Sequence, residues 1–307
     1  MITSSAAKSL NSVNRKLENA FRNFTPEKTR TDNPRVPNKF KEFNRVVGQP
    51  VHPATGQPTD IFDYQEEYEK AWNTHHKLIL NKSRKIGATE TALRIIAFNC
   101  MSGRYRPDHR VMIVAGNKQE VANRFIERFL SIFGEGFTDL DDKWWGIDDI
   151  VIERKASKII LYNGIVIQAY PANESVRGEE NVICVFMSES AFINLLDDSK
   201  VYNAVHPNVA NIGDADFILE STPNGKRGFF WQLFTDKDNE YHKLEQPYTV
   251  AMGKLLDEKT IKAERKNPFI DFEQEYFCKF TTSLSSVFKE EDVRADFSTP
   301  INTYDDL

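Results

Sequence analysis

KLILNKSRKIGATETALRIIAFNCM, residues 77–101, is the stretch on which the fold turns. The apolar run KLILNK (77–82) reads as a short buried strand. It enters a cationic loop, and TETALRIIAFNCM (89–101) follows with helical periodicity. Working outward, VMIVAG (111–116) is a second buried strand. Asn117 with Glu120 makes a capping-box signal for a helix reaching about Phe133. SKIILY and IVIQAY flank Asn163-Gly164, the strongest hairpin signal in the chain. NVICVFMSES (181–190) and DFILES (216–221) read as a third and a fourth apolar strand, and DEKTIKAERK (257–266) as a surface helix stopped by Asn267-Pro268. Strands that are apolar throughout, alternating with helices, predict an α/β fold with a mostly parallel sheet covered on both faces.

Composition narrows the classes. The 307 residues carry 40 Lys+Arg against 45 Asp+Glu, a net charge of −5, with 40% hydrophobic and 12% aromatic residues. Such a chain folds around a core rather than staying disordered. No apolar run approaches the roughly 20 residues of a bilayer span, and the opening MITSSAAKSLNSVNRKL lacks the apolar stretch of a signal peptide. Cys100, Cys184 and Cys278 are too far apart for a CxxC metal site and odd in number, which points to a reducing compartment. The charge is uneven. Residues 1–41 hold nine basic side chains against Glu18, Glu27 and Asp32, and Leu10, Val13, Leu17, Phe21 and Phe24 recur at helical spacing. Residues 1–58 are therefore expected to be a basic helix and linker, 59–288 the α/β domain, and 289–307 an acidic tail.

Ligands of parallel α/β sheets bind at the carboxyl ends of strands. The first strand runs into Lys82-Ser83-Arg84-Lys85-Ile86-Gly87-Ala88-Thr89 just before a helix, where backbone N–H groups and the helix dipole favour an anion. Three cations in four residues add to that field. Thr89 stands where a phosphate loop places its Mg²⁺-binding hydroxyl, although Ala88 occupies the usual lysine position and the first glycine is absent. The same stretch also reads as an ordinary strand–helix connection. The third strand ends in Ser188-Glu189, where a P-loop ATPase of the catalytic-glutamate type has Asp-Glu. Glu189 could there deprotonate a water for attack on a γ-phosphate. The fourth strand ends in Ser221-Thr222-Pro223-Asn224-Gly225, which serves equally as a turn or as a source of hydroxyls at the neighbouring strand tips.

These pieces, in this order, resemble the ATPase domain of viral large terminases, the DNA-packaging motors of tailed viruses. The resemblance covers roughly residues 60–290. It rests on Tyr64-Gln65, the SRKIGAT loop, Arg177-Gly178 in ESVRGEENV, SESAF, STPNGKRGFFWQLF and FEQEYFCKF (272–280). It implies a RecA-like P-loop fold that hydrolyses ATP with Mg²⁺. Gln65 is then expected to read the adenine edge, and Lys82, Ser83, Arg84, Lys85, Ile86, Gly87, Ala88 and Thr89 to cradle the phosphates. Thr89 and Ser188 would hold Mg²⁺, the latter through water. Glu189 would be the catalytic glutamate, with Arg84 and Arg177 as charge stabilisers. Ser221, Thr222 and Asn224 would couple nucleotide state to DNA movement. Lys82 matches a displaced position that the loop lysine takes in part of the family. Missing one cation at Ala88 and one anion at Ser188 leaves the local charge unchanged, so the two departures are expected to offset each other.

The implied function is ATP-driven translocation of double-stranded DNA into a viral procapsid in the host cytoplasm. Its implied partners are the portal and the small terminase subunit, with a homo-oligomeric ring when assembled, a possible monomer alone, and no membrane. The nuclease domain that usually follows is not expected in the residues after Glu290. Two other readings fit the motifs: an assembly module that binds nucleotide and DNA without hydrolysis, and another RecA-like nucleic-acid ATPase.

Overall fold

The central strands of an eight-stranded sheet are buried on both sides, so each must be covered twice. In the computed structural model, which describes residues 32–173, 176–193, 198–209 and 212–281, the strands are β1 (Lys77–Lys82), β2 (Arg110–Ala115), β5 (Val151–Arg154), β6 (Lys158–Leu161), β7 (Val166–Tyr170), β8 (Val182–Ser188), β9 (Asp216–Ser221) and β10 (His242–Gln246). The short β3 (Gly136–Thr138) and β4 (Trp144–Gly146) pair separately as an antiparallel ribbon. The order across the large sheet is β10-β1-β9-β8-β2-β7-β6-β5. The strands from β10 to β7 are parallel, and β6 and β5 extend the edge antiparallel. The Asn163-Gly164 hairpin forms as expected between β6 and β7, with Gly164 at φ +84°.

Alternate side chains divide between two cores. Leu78, Leu80, Val111, Ile113, Cys184, Phe186 and Ile218 face one side. There they meet α1 (Phe40–Val47), α2 (Asp63–His75), α3 (Ala88–Met101) and α4 (Gln119–Ser131). Ile79, Met112, Val114, Val185, Met187, Phe217 and Leu219 face the other, against α5 (Asp198–Val205) and α6 (Gly228–Thr235). The charged α7 (Glu258–Lys266) starts at Asp257, whose carboxylate accepts from the Thr260 N–H, and it ends before Asn267-Pro268 as the sequence predicts. Among the described residues no helix is long and apolar enough to cross a membrane.

One boundary differs from expectation. The compact unit begins at Pro34, and α1 lies within residues read as linker. Its Phe40, Phe43 and Val47 are buried, with Phe40 and Phe43 against the Phe98 ring. The buried Arg94 guanidinium donates to Asn44 Oδ1 at 2.8 Å and pairs with Glu90 at 2.9 Å, joining α1 to α3. A linker composition therefore conceals a short amphipathic helix. The expected basic helix at 10–24 and the tail at 289–307 lie outside the described residues.

At the amino-terminal end of the sheet, Asp216 on β9 is fully buried and saturated with donors. Its oxygens accept from Trp72 Nε1 (2.9 Å), Tyr105 OH (2.5 Å) and Arg104 Nη2 (3.2 Å), and one contacts His76 Nδ1 at 2.8 Å. Asp216→Ala leaves these donors buried around an empty site, and is expected to cost about 3–5 kcal/mol. Urea unfolding should show a lower midpoint at an unchanged slope.

Candidate functional site

The loop after β1 is shaped by two left-handed residues, Lys85 (φ +61°) and Gly87 (φ +75°). A side chain at Gly87 would put its Cβ 3.1 Å from Leu255 Cδ1 and 3.3 Å from Gln65 Nε2, so both conformation and space call for glycine there. Gly87 caps α3, whose first two residues are Ala88 and Thr89, and the free N–H groups of this helix start face the carboxyl edge of the sheet. The Tyr64 hydroxyl donates to the Ile86 carbonyl at 2.8 Å, holding the loop against α2. Ser83 is buried, with its N–H on the Gln246 carbonyl and its hydroxyl on the Arg84 carbonyl.

The strand order decides what this loop meets. β9 lies between β1 and β8, with Leu80 and Ser188 both in register with Glu220. The ends of three parallel strands thus meet beside the start of α3. Lys82 Nζ donates to Glu189 Oε1 at 2.6 Å and reaches Thr222 Oγ1 at 3.5 Å. Thr89 Oγ1 donates to Glu220 Oε1 at 2.7 Å. Glu189 itself is left-handed (φ +53°, ψ +44°), an unusual conformation for a side-chain-bearing residue at a strand end and one found disproportionately at active sites. That turn leaves its carboxylate half-exposed while Ser188 stays buried.

The segment after β9 grips the chain just beyond Glu189. Ser221 Oγ accepts from the Ala191 N–H at 3.1 Å, and Asn224 Nδ2 donates to the Ala191 carbonyl at 2.9 Å. The Gly225 N–H donates to Gln274 Oε1 at 2.7 Å. These bonds tie the chain at 189–191 directly to 221–225.

The charges of the cluster are compensated within it. Burial works to lower the Lys82 pKa, but the charges of Glu189 and Glu220 outweigh it and raise the value. Glu220 is fully buried. Burial pushes its carboxyl up to about 7, opposed by Lys82 and the Thr89 hydrogen bond and reinforced by Glu189. Among the described residues, its Oε2 and the Ser188 hydroxyl have no hydrogen-bond partner.

The other site residues are placed as follows. Arg84 forms an ion pair with Glu275, and Lys85 donates to Glu264 at 2.6 Å, so both loop cations are turned toward the carboxy-terminal part of the chain. Gln65 is buried. Its Oε1 accepts from the Phe62 N–H at 3.0 Å and its Nε2 lies beside Gly87. Arg177 is exposed in the connection from β7 to β8, whose Glu179 pairs with Arg110 at the opposite end of β2. Glu220 is the residue that sequence reasoning missed. It stands next to last in a run read as a plain apolar strand, and the one available signal was a lone carboxylate among FIL and ST. A cavity of about 690 Å³ opens beside α2, but four carboxylates (Asp63, Glu66, Glu67 and Glu69) outnumber Lys70 and Lys254 in its lining, which makes it a poor place for a triphosphate.

A strand order of 10-1-9-8-2 with a phosphate-type loop after β1 and a glutamate after β8 defines a RecA-like P-loop ATPase fold. Residues 79–295 match the family described as "Terminase large subunit, T4likevirus-type, N-terminal", and the chain belongs to that family. Solved structures with the same fold include the large terminase of bacteriophage HK97. It has a TM-score of 0.59 and 14% identity, with 78% of this chain covering 53% of that one. A point mutant of the large terminase ATPase domain of Thermus phage P74-26 has a TM-score of 0.50 and 16% identity, with 80% of this chain covering all of that one. The large terminase of a thermophilic bacteriophage in complex with ADP has a TM-score of 0.53 and 13% identity, with 72% of this chain covering 53% of that one. This chain thus spans about half the length of the HK97 protein. No curated protein matches it.

The buried Glu220 carboxyl has a testable signature. Its folded pKa of about 7 lies above the ordinary 4.5, so the folded state holds a proton that the unfolded chain has released between those values. Stability from this group is therefore lost as pH rises from about 4.5 to about 7. Lys82, Glu189, Arg128 and the Thr89 hydroxyl are the groups that act on it. In metal-free buffer Glu220→Gln should raise Tm by several degrees at pH 8 and leave it unchanged at pH 4.5, as read by calorimetry.

Proposed function

We propose that this chain hydrolyses ATP at the tips of β1, β8 and β9, and that hydrolysis drives translocation of double-stranded viral DNA into a procapsid. The observation that carries the reading is the convergence of Lys82, Glu189 and Thr222, contributed by three separate strand ends, with Thr89 at the start of α3 beside them. The ADP bound to the thermophilic phage relative gives it further support.

In this reading the N–H groups from Lys85 to Thr89 hold the phosphates, since those of Ser83 and Arg84 are already given to the Gln246 and Glu275 carbonyls, and the Gln65 amide beside Gly87 faces the adenine edge. Before nucleotide arrives, Lys82 is neutralised by Glu189. A γ-phosphate would compete for the ammonium and free the carboxylate to orient and deprotonate the attacking water. Arg84, after leaving Glu275, would stabilise the charge developing on the transferred group; Arg177, in a connection tied to the opposite end of β2, is not among the groups brought together at these strand tips. Mg²⁺ fits the site: the Thr89 hydroxyl is at hand, and the buried Ser188 hydroxyl lacks a partner. When bound it would neutralise the β- and γ-phosphate oxygens. Among the described residues there is no cluster of three or more His, Cys, Asp or Glu that could form an all-protein cage.

The bonds from Ser221 and Asn224 to Ala191 would pass a change at Glu189 to the 221–225 segment, and from there to the DNA. Contacts to DNA would be to its phosphates, hence strongly salt-dependent. The portal, the small terminase subunit and further copies of this chain in a ring are the proposed partners, in the host cytoplasm.

Phosphate release with and without double-stranded DNA, at high protein concentration, tests the reading. Glu189→Gln should lower turnover by roughly 10²- to 10⁴-fold while nucleotide affinity is kept. If wild type and variant bind nucleotide yet release phosphate equally slowly, the chain is a bridging module without hydrolysis. Asn224→Ala is expected to keep basal turnover within about threefold and to lose most of the stimulation by DNA, since a cut coupling typically amounts to about 1–3 kcal/mol.

A further inference from the structure

Strand β9 carries two fully buried carboxylates, one at each end, and they are treated differently by the fold. Asp216 is surrounded by donors from Trp72, Tyr105 and Arg104, with His76 beside it, and has nothing left to bind. Among the described residues Glu220 has a single hydrogen bond, from Thr89 to Oε1, while its Oε2 is buried without a partner. Lys82, the nearest cation that acts on it, spends its ammonium on Glu189. A carboxylate built only for stability has both oxygens satisfied, as Asp216 does, because an unpaired buried oxygen is costly.

The position of Glu220 explains what the spare oxygen is for. It is in register with Ser188 on β8, so in this parallel pair both side chains point to the face that α3 covers. The Ser188 hydroxyl is also buried and unpartnered, and it is neutral. An aspartate at 188 would have placed a carboxylate beside the helix start. The neighbouring strand places one there instead, already bonded to the hydroxyl that would touch the metal. We infer that Glu220 is the carboxylate that anchors the divalent cation of bound Mg²⁺·ATP, holding Thr89 through Oε1 and a metal-bound water through Oε2, with the Ser188 hydroxyl beside it. The assignment rests on the ATPase reading of the site. It also replaces the idea that missing charges at positions 88 and 188 merely offset each other. Both charges are present, the cation on Lys82 at the start of the loop and the anion one strand over.

The test measures nucleotide binding and not turnover. A fluorescent ATP analogue is titrated against the full chain in EDTA and at a series of Mg²⁺ concentrations, with Mn²⁺ binding followed in parallel by electron paramagnetic resonance. Glu220→Gln keeps an acceptor for Thr89 and removes the charge. It should leave affinity in EDTA unchanged and weaken the apparent Mg²⁺ affinity of the complex about 10- to 100-fold. Ser188→Asp added to Glu220→Gln puts a carboxylate back one strand away and should recover most of that loss, which excludes misfolding as its cause. The inference is overturned if Glu220→Gln keeps the wild-type Mg²⁺ and Mn²⁺ dependence, or if the wild type binds nucleotide equally well with and without metal. A wild type that binds no nucleotide under any condition overturns the ATPase reading, and this assignment with it.

Discussion

The insertion of β9 between β1 and β8 is the constraint on which the site depends. Parallel strands bring their carboxyl ends to one edge, so three neighbours in register deliver Lys82, Glu189 and Thr222 within reach of one another. With β1 beside β8, Glu220 would have no place between the loop and the glutamate, and the Thr89–Glu220 bond would not form. The two apolar cores hold this order, since Ile218 faces α1 to α4 while Phe217 and Leu219 face α5 and α6.

Charge in the cluster is compensated internally. Lys82 is nearly buried, a position a lysine occupies only with partners, and it has two carboxylates around it. Arg84 and Lys85 are held by Glu275 and Glu264 from beyond β10. A polyanion entering the site must therefore displace carboxylates rather than simply meet free cations, which gives the ligand leverage over Glu189 and over the chain around Glu275. A phosphate that takes Lys82 changes the neighbourhood of Glu189, and the chain just after Glu189 is bonded through Ala191 to the loop at 221–225.

Much of the architecture was readable along the chain, because strands buried on two faces and a helix opening on Gly-Ala-Thr leave strong local marks. β1 and the hairpin at 163–164 fall where they were expected, and α3, β2, β8, β9 and α7 lie within a residue or two. The helix expected from Asn117 starts at Gln119 and ends at Ser131 instead, with no side-chain cap. α1 was hidden in a proline-bearing segment, and β10, HKLEQ, is an edge strand with polar side chains and no period to announce it. The site was legible in its parts and not in its pairings. The partner of Thr89 lies 131 residues away and that of Lys85 lies 179 away, distances over which spacing carries no signal. Glu220 escaped for that reason: its meaning comes from the strand beside it.

A crystal structure of the chain with Mg²⁺ and a non-hydrolysable ATP analogue tests the account most directly. The account predicts the triphosphate along residues 83–89, the Lys82 ammonium moved from Glu189 to the β- and γ-oxygens, and Glu189 facing a water in line with the γ-phosphate. Nucleotide bound elsewhere, with the Lys82–Glu189 pair intact, would contradict it.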